Sequence, residues 1–217
     1  MDLFVFKLFS DPLYFGMVVL AVGFSVCMHE FFHAWTALKC GDPTAAYAGH
    51  LTLNPLKQMG PWSLVMLLIL GICWGAVPVN HALLTPRRRI LVALAGPLTN
   101  LGLFMLTALA EGLVLYFMPE EPEGSPQYLI FRWLAVMSTL NFVLFCLNML
   151  PLPGLDGGAV LRELLPVERL FANEVGKGCV IGLVLLLFYS MNYIYQAAYV
   201  ASSAVAAVSL LFFRAML

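Results

Sequence analysis

The sequence predicts an all-α polytopic membrane protein with about five transmembrane helices, a re-entrant segment and a small membrane-associated β element. Three observations predict it. Of 217 residues, 62% are hydrophobic and 11% charged, with a mean hydropathy of +0.91; an ordinary soluble domain carries about 25% charge. Apolar runs near the roughly 20 residues needed to cross a hydrocarbon layer recur along the chain. The first of them contains two histidines and a glutamate, which are costly in lipid unless paired or bound to something. One domain over 1–217 is expected, with a core at 12–165 and C-terminal helices at 178–213.

The elements follow in order. Residues 1–11 read as an interfacial lead-in. The first helix runs over about 12–39 and ends at Gly41-Asp42-Pro43, a Gly and a Pro just past a helix. It does not read as a cleaved signal peptide: Lys7 stands against Asp2 and Asp11, and no small-residue cleavage site follows. Between 44 and 60 the chain is too polar and punctuated to span, and the alternation at Leu51-Thr52-Leu53 suggests a short strand or hairpin. The run 62–77 is apolar but at the short limit for a span, and Gly71, Gly75 and Pro78 interrupt or end it. Long helices follow over about 88–118 and 128–150, separated by an acidic loop at 119–127. Residues 159–177 are amphipathic and charged. The run 178–213 is too long for one untilted span and reads as two helices with a turn near Ser190 to Tyr195.

Composition also excludes. A net charge of −1 gives no reason to expect nucleic acid, and Arg87-Arg88-Arg89 reads as a membrane flank. The five cysteines form no C-x-x-C pair and lie mostly in apolar runs, so no disulfide framework is expected.

The chemistry starts at His29-Glu30-Phe31-Phe32-His33. On a helix the two histidines lie one turn apart on one face, so both imidazoles can reach one Zn²⁺. Glu30 sits beside them to take a proton from water. A pair of core histidines satisfied by packing would not account for Glu30. A catalytic zinc site usually has a third protein ligand. His50, His81, Asp42, Glu111 and Asp156 are the candidates. Asp42 is near in sequence but sits at a turn, and Asp156 follows a membrane helix in a Pro- and Gly-rich break that can aim a carboxylate back into a site.

Topology favours Asp156 conditionally. Charge places the loop 119–127 outside and the flanks 87–89 and 162–177 inside. The first helix brings its histidines to the level of Asp156 only if an even number of crossings separates the two motifs. The helices at 88–118 and 128–150 supply two, so 62–77 should be re-entrant, shielded by protein or lining a wet cavity. Charge alone does not decide this; bringing the ligands together does.

At this point the chain resembles the site-2 proteases, intramembrane zinc metalloproteases. The resemblance rests on His29-Glu30-Phe31-Phe32-His33 together with Asn148-Met149-Leu150-Pro151-Leu152-Pro153-Gly154-Leu155-Asp156-Gly157-Gly158. Further similar segments stand at Gly41-Asp42-Pro43-Thr44, Leu51-Thr52-Leu53-Asn54-Pro55 and Ala95-Gly96-Pro97-Leu98-Thr99-Asn100. It covers about 12–165, without a PDZ-like insertion. It implies one Zn²⁺ per chain held by His29, His33 and Asp156, Glu30 as base, and a β element near the substrate. It also places Asn148 where the family is thought to hold the substrate backbone or polarise its carbonyl. For Asn148 an interhelical hydrogen bond is an equal reading; for Asn141 and Asn100 helix packing is favoured.

The expected function is hydrolysis of peptide bonds in or near transmembrane segments of membrane-protein substrates. The expected partners are such a substrate helix and the lipid bilayer, with no nucleic acid. The expected place is a cell membrane, of a prokaryote by compact size, with the active site toward the cytoplasm. Two rivals remain: a zinc-binding transporter or sensor using the same ligands, and a silent relative that binds membrane helices.

Overall fold

The computed structural model describes residues 3–118, 122–165 and 174–216. After a 3₁₀ turn at Phe4–Phe6 come α1 (Lys7–Ser10), α2 (Pro12–Lys39), α3 (Thr44–Tyr47), α4 (Pro55–Gln58) and α5 (Gly60–Leu70). A second 3₁₀ turn at His81–Leu83 leads to α6 (Pro86–Phe117), α7 (Pro126–Asn148), α8 (Asp156–Leu164) and α9 (Glu174–Met216). Among the described residues, four helices are long and apolar enough to cross a membrane: α2, α6, α7 and the Tyr189–Met216 part of α9. This is a multi-pass membrane protein.

The long helices start where local chemistry directs. Asp11 caps α2 by accepting from the Tyr14 amide, and Ser125 caps α7 by accepting from that of Tyr128. Pro12, Pro86 and Pro126 each take a first helical position, where a missing N–H costs nothing. α6 is central and packs against α2, α7, α8 and α9. Val18, Val22 and Val26 of α2 form a core cluster with Leu67 of α5 and Met59, joined by Val136, Leu140 and Leu144 of α7.

Polarity is distributed as an apolar solvent demands. Leu20, Leu106, Leu185 and Leu211 are exposed, whereas Ser25, Asn100, Ser138 and Asn141 are fully buried. Every buried side-chain nitrogen and oxygen among the described residues has a hydrogen-bond partner. In hydrocarbon no water can supply one, so helix faces bearing such groups must turn toward each other.

The stretch between α2 and α6 forms a flap fastened at one carboxylate. Asp42 is fully buried. Its Oδ1 accepts from the Thr44 amide and hydroxyl, where the flap leaves, and its Oδ2 accepts from the Asn80 amide at 2.7 Å, where it returns. The far end turns at Gly71, left-handed at φ 72°, where a Cβ would press on the Phe4 ring. Both ends of the flap therefore sit at the C-terminal end of α2, and its apex lies beside the turn preceding α2. Arg88 ties the start of α6 to the same end, donating to the Cys40 carbonyl at 3.0 Å.

Two expectations need correction. Four helices of membrane length stand where about five were expected, because the C-terminal run is one helix, Glu174–Met216. Between Ser190 and Tyr195 there is neither Gly nor Pro, and Ser190 donates to the Leu187 carbonyl within the helix, so nothing ends it. Second, no strand occurs among the described residues, and Leu51 to Leu53 run through bends. The Gln58 side chain donates to the carbonyls of both His50 and Thr52, which curls the segment, and Asn54 with Pro55 then starts α4. The apolar run 62–77 is helical only to Leu70; α5 has 11 residues, about 16 Å at 1.5 Å per residue, roughly half a hydrocarbon layer of about 30 Å. Residues 72–80 then run without regular structure. Of the acidic loop, Pro119, Glu120 and Glu121 lie outside the described residues, as do Glu168 and Arg169 of the charged stretch.

Asp42 has a pH signature. Burial works to raise its pKa, but hydrogen bonds from the Thr44 hydroxyl and amide and from the Asn80 amide outweigh this and hold it below the ordinary carboxylate value. A depressed folded-state pKa contributes stability that is full above the unfolded value, about 3.9, and is lost as pH falls through the folded one. The thermal midpoint of the wild type should therefore exceed that of Asp42→Asn most at neutral pH. The gap should narrow in acid, as thermal melts in detergent across that range would record. A gap independent of pH would remove Asp42 as the charged fastening.

Candidate metal centre

α2 carries His29, Glu30 and His33 to one level of the bundle, all three buried. The two imidazoles face each other with Nε2 atoms 2.9 Å apart. Asp156 arrives from the other end of the domain. α7 ends at Asn148, and a turn through Pro151 and Pro153 leads to α8, whose first residue is Asp156. A carboxylate in the first turn is favoured by the helix dipole. Gly157 and Gly158 permit the approach: a Cβ on the first would strike the Met149 and Leu150 carbonyls, and on the second the Leu152 carbonyl. Asp156 Oδ2 then lies 3.0 Å from His29 Nε2, and Oδ1 3.3 Å from His33 Nε2.

The outer nitrogens decide what the inner ones present. His33 Nδ1 lies 2.6 Å from the Val92 carbonyl oxygen of α6. That oxygen only accepts, so Nδ1 carries the hydrogen and Nε2 offers a lone pair. His29 Nδ1 lies 2.6 Å from Asn100 Oδ1, also on α6. One atom from each of His29, His33 and Asp156 falls within 4.8 Å of the others. Lone pairs and a carboxylate converging so closely in a buried place suit a cation among them. Two imidazoles and one carboxylate form a donor set suited to a divalent transition metal.

Glycines keep this space open. A Cβ on Gly96 of α6 would collide with both imidazoles, and one on Gly75 with the Glu30 carboxyl. A cavity of about 740 Å³ surrounds the group, and Asn148, Trp74, Arg89 and Glu163 also line it. Arg89 pairs with Glu163 of α8 at 3.3 Å, tying the helix that starts with Asp156 to the start of α6.

Of the sequence-predicted residues, His29, Glu30, His33, Asn148 and Asp156 share this cavity. Asn148 Nδ2 also donates to the Leu144 carbonyl of its own helix. The other third-ligand candidates lie elsewhere or serve otherwise. Asp42 fastens the flap, and His50 Nδ1 pairs with Gln58 Oε1. Glu111 accepts from Ser138 and Ser202 between α6, α7 and α9. His81 lines the cavity. Sequence reasoning read Gly75 as a helix breaker and Gly96 as part of a family segment without placing either at the site, and it did not name the Val92 carbonyl. Gly96-Pro97 on a long helix was a visible signal for one of them; a backbone carbonyl leaves none.

A family model described as Peptidase family M50 matches residues 17–118 and 117–189. The chain belongs to peptidase family M50. This is the site-2 protease family, as the motifs led one to expect, and the enzyme class is that of a zinc metalloprotease hydrolase. M50 relatives named provisionally as zinc metalloproteases agree. YwhC of Bacillus subtilis is 34% identical over 180 residues, covering 79% of each chain. Rip2 of Mycobacterium tuberculosis is 37% identical over 181 residues, covering 80% of this chain and 67% of that one. MJ0611 of Methanocaldococcus jannaschii is 34% identical over 166 residues, covering 71% and 76%. No solved structure matches the chain.

Gly96 gives a test of the M50 site that leaves all three ligands in place. Gly96→Ala should push the imidazoles apart and reduce uptake of a divalent metal at least tenfold, with the helical circular dichroism unchanged. Metal content after equilibrium dialysis measures it. Uptake equal to wild type would mean that the glycine is not needed for the approach.

Proposed function

We propose that this chain is an intramembrane zinc metalloprotease that hydrolyses peptide bonds in or near the transmembrane segments of membrane-protein substrates. The observation that carries this reading is the meeting of His29, His33, Asp156, Glu30 and Asn148 in one polar cavity within a bundle of membrane length. His29, His33 and Asp156 would hold one zinc ion, a metal that the relatives' names share. Bound there, zinc supplies Lewis-acid activation of water and of the scissile carbonyl.

The remaining chemistry belongs to the chain's own side chains. Glu30, one residue from His29 and lining the same cavity, takes a proton from the attacking water and delivers it to the leaving amine. Asn148 donates to the carbonyl oxygen as negative charge develops on it. A helical substrate hides its peptide bonds and must be drawn out locally. The irregular stretch 72–80 passes Glu30 at Gly75, and among the described residues its backbone groups find partners at Trp74, Ala76 and Asn80. It therefore offers an edge for an extended segment, a better receiver than Leu51 to Leu53.

The flap's fastening at one end of α2 supports a re-entrant reading of α5 and the stretch after it. Lys39, Arg87, Arg88 and Arg89 cluster at that end, which supports a cytoplasmic position for it in a cell membrane.

Cleavage of single-span membrane reporters tests the reading, with purified wild type, Glu30→Gln and Asn148→Ala and zinc content measured on each. Wild type should cleave, and Glu30→Gln should lose about 10²–10⁴-fold in rate while keeping its zinc. Asn148→Ala should lose about 10²–10³-fold in kcat, again with zinc retained. A metal carrier using the same ligands would tolerate Glu30→Gln. Zinc movement into liposomes by wild type and Glu30→Gln alike, with no cleavage by either, would replace the protease reading with that one.

A further inference from the structure

We infer that Asn100 is a positioning residue for His29, held in its own orientation by Asn141 and Ser25, so that three side chains outside the ligand set decide which nitrogen of His29 faces the metal. This rests on the zinc reading above and adds to it three residues, two of which, Asn100 and Asn141, sequence reasoning assigned to helix packing.

The argument starts from an atom whose role is fixed. The Met137 carbonyl oxygen can only accept, so the Asn141 atom 2.8 Å from it is the amide nitrogen Nδ2, which also donates to Ser25 Oγ at 2.9 Å. Asn141 Oδ1 is then the atom that faces α6, and it accepts from Asn100 Nδ2 at 3.0 Å. With its nitrogen so engaged, Asn100 turns Oδ1 toward His29 Nδ1, 2.6 Å away. An amide oxygen only accepts. His29 Nδ1 therefore carries the hydrogen, and Nε2 presents its lone pair toward His33 and Asp156. The donor–acceptor order is dictated link by link from a backbone carbonyl on α7 to an imidazole on α2.

Three features separate this from ordinary polar packing. Ser25, Asn100 and Asn141 are all fully buried, so no water can replace a lost link. Ser25 and His29 stand one turn apart on α2, so the helix that carries both histidines also supplies an acceptor to the Asn141 end of the series. And the two histidines are held differently: His33 by the main chain at Val92, His29 by a side chain. Only the orientation of His29 is open to change by substitution. Partners behind metal-bound histidines typically change metal affinity 10–100-fold when removed.

The test measures zinc affinity of the full-length chain in detergent, by competition with a chromophoric chelator, for wild type, Asn100→Leu, Asn100→Asp and His29→Ala. Leucine keeps the branched shape, at a larger volume, without an acceptor, whereas a neutral aspartic acid can accept from His29 and donate to Asn141. Asn100→Leu should bind zinc about 10–100-fold more weakly, and Asn100→Asp should recover most of that loss. The ¹⁵N spectrum of metal-free wild type should place the His29 hydrogen on Nδ1, a readout that needs no variant. The inference is overturned if Asn100→Leu is folded by circular dichroism and binds zinc like wild type. It is equally overturned if the leucine and aspartate variants lose affinity and thermal stability in parallel, or if the hydrogen sits on Nε2. Zinc affinity unchanged in His29→Ala would overturn the zinc reading itself, and this inference with it.

Discussion

A lone pair cannot be left without a partner in hydrocarbon, and the arrangement of this molecule follows from that constraint. Two imidazoles and a carboxylate meet in the interior of a helical bundle. Their outer atoms need partners too, and α6 provides them at Val92 and Asn100. Asn100 then needs Asn141, and Asn141 needs Ser25 and the Met137 carbonyl. Each satisfied group specifies the next, so the relative rotation of α2, α6 and α7 is set by hydrogen bonds, while the valines and leucines around them fill volume. An apolar interface alone would gain little in lipid, where the surroundings are as apolar as the contact.

Much of the site was legible because its chemistry is local. The spacing of His29 and His33 places both on one helix face by geometry alone, and Glu30 between them made a satisfied core pair a poor explanation. Asp156 was favoured by the Pro- and Gly-rich break it stands in, by the family resemblance and by a parity argument: the two motifs share a level if an even number of crossings separates them. α6 and α7 are the two long helices between them, and α5 is too short to add a third. What stayed hidden depends on distant contacts. Asn100 and Asn141 look like packing residues in sequence, and they do pair with each other. That their pairing ends on an imidazole is knowable only once α2, α6 and α7 are placed together. The misread at Leu51 to Leu53 has the same origin, since it was Gln58, several residues on, that curled the segment by taking two of its carbonyls. At the C-terminus the error came from length: a run too long for one untilted span was divided at Ser190 to Tyr195, where neither Gly nor Pro stands to end a helix.

Small residues do at this site what large ones do in a soluble core. Gly96 lets α6 come against both histidines, Gly75 lets the flap pass the Glu30 carboxyl, and Gly157 and Gly158 seat α8 on the turn before it. In each case the missing Cβ is space that another group already uses. Sequence shows such glycines readily and shows what they make room for hardly at all.

The flap leaves and rejoins the bundle at one carboxylate, Asp42, and is anchored along its length by Met59 and Leu67 in the core. Mechanically it is a closed ring without a covalent bond. Its two feet hold the two oxygens of one side chain, so a displacement of Asp42 releases both at once. The segment is thereby suited to open as one cooperative unit rather than to fray from an end. Since Gly75 on that ring abuts the Glu30 carboxyl, the way to the buried base runs past a segment whose two feet are held by a single aspartate at the C-terminal end of α2.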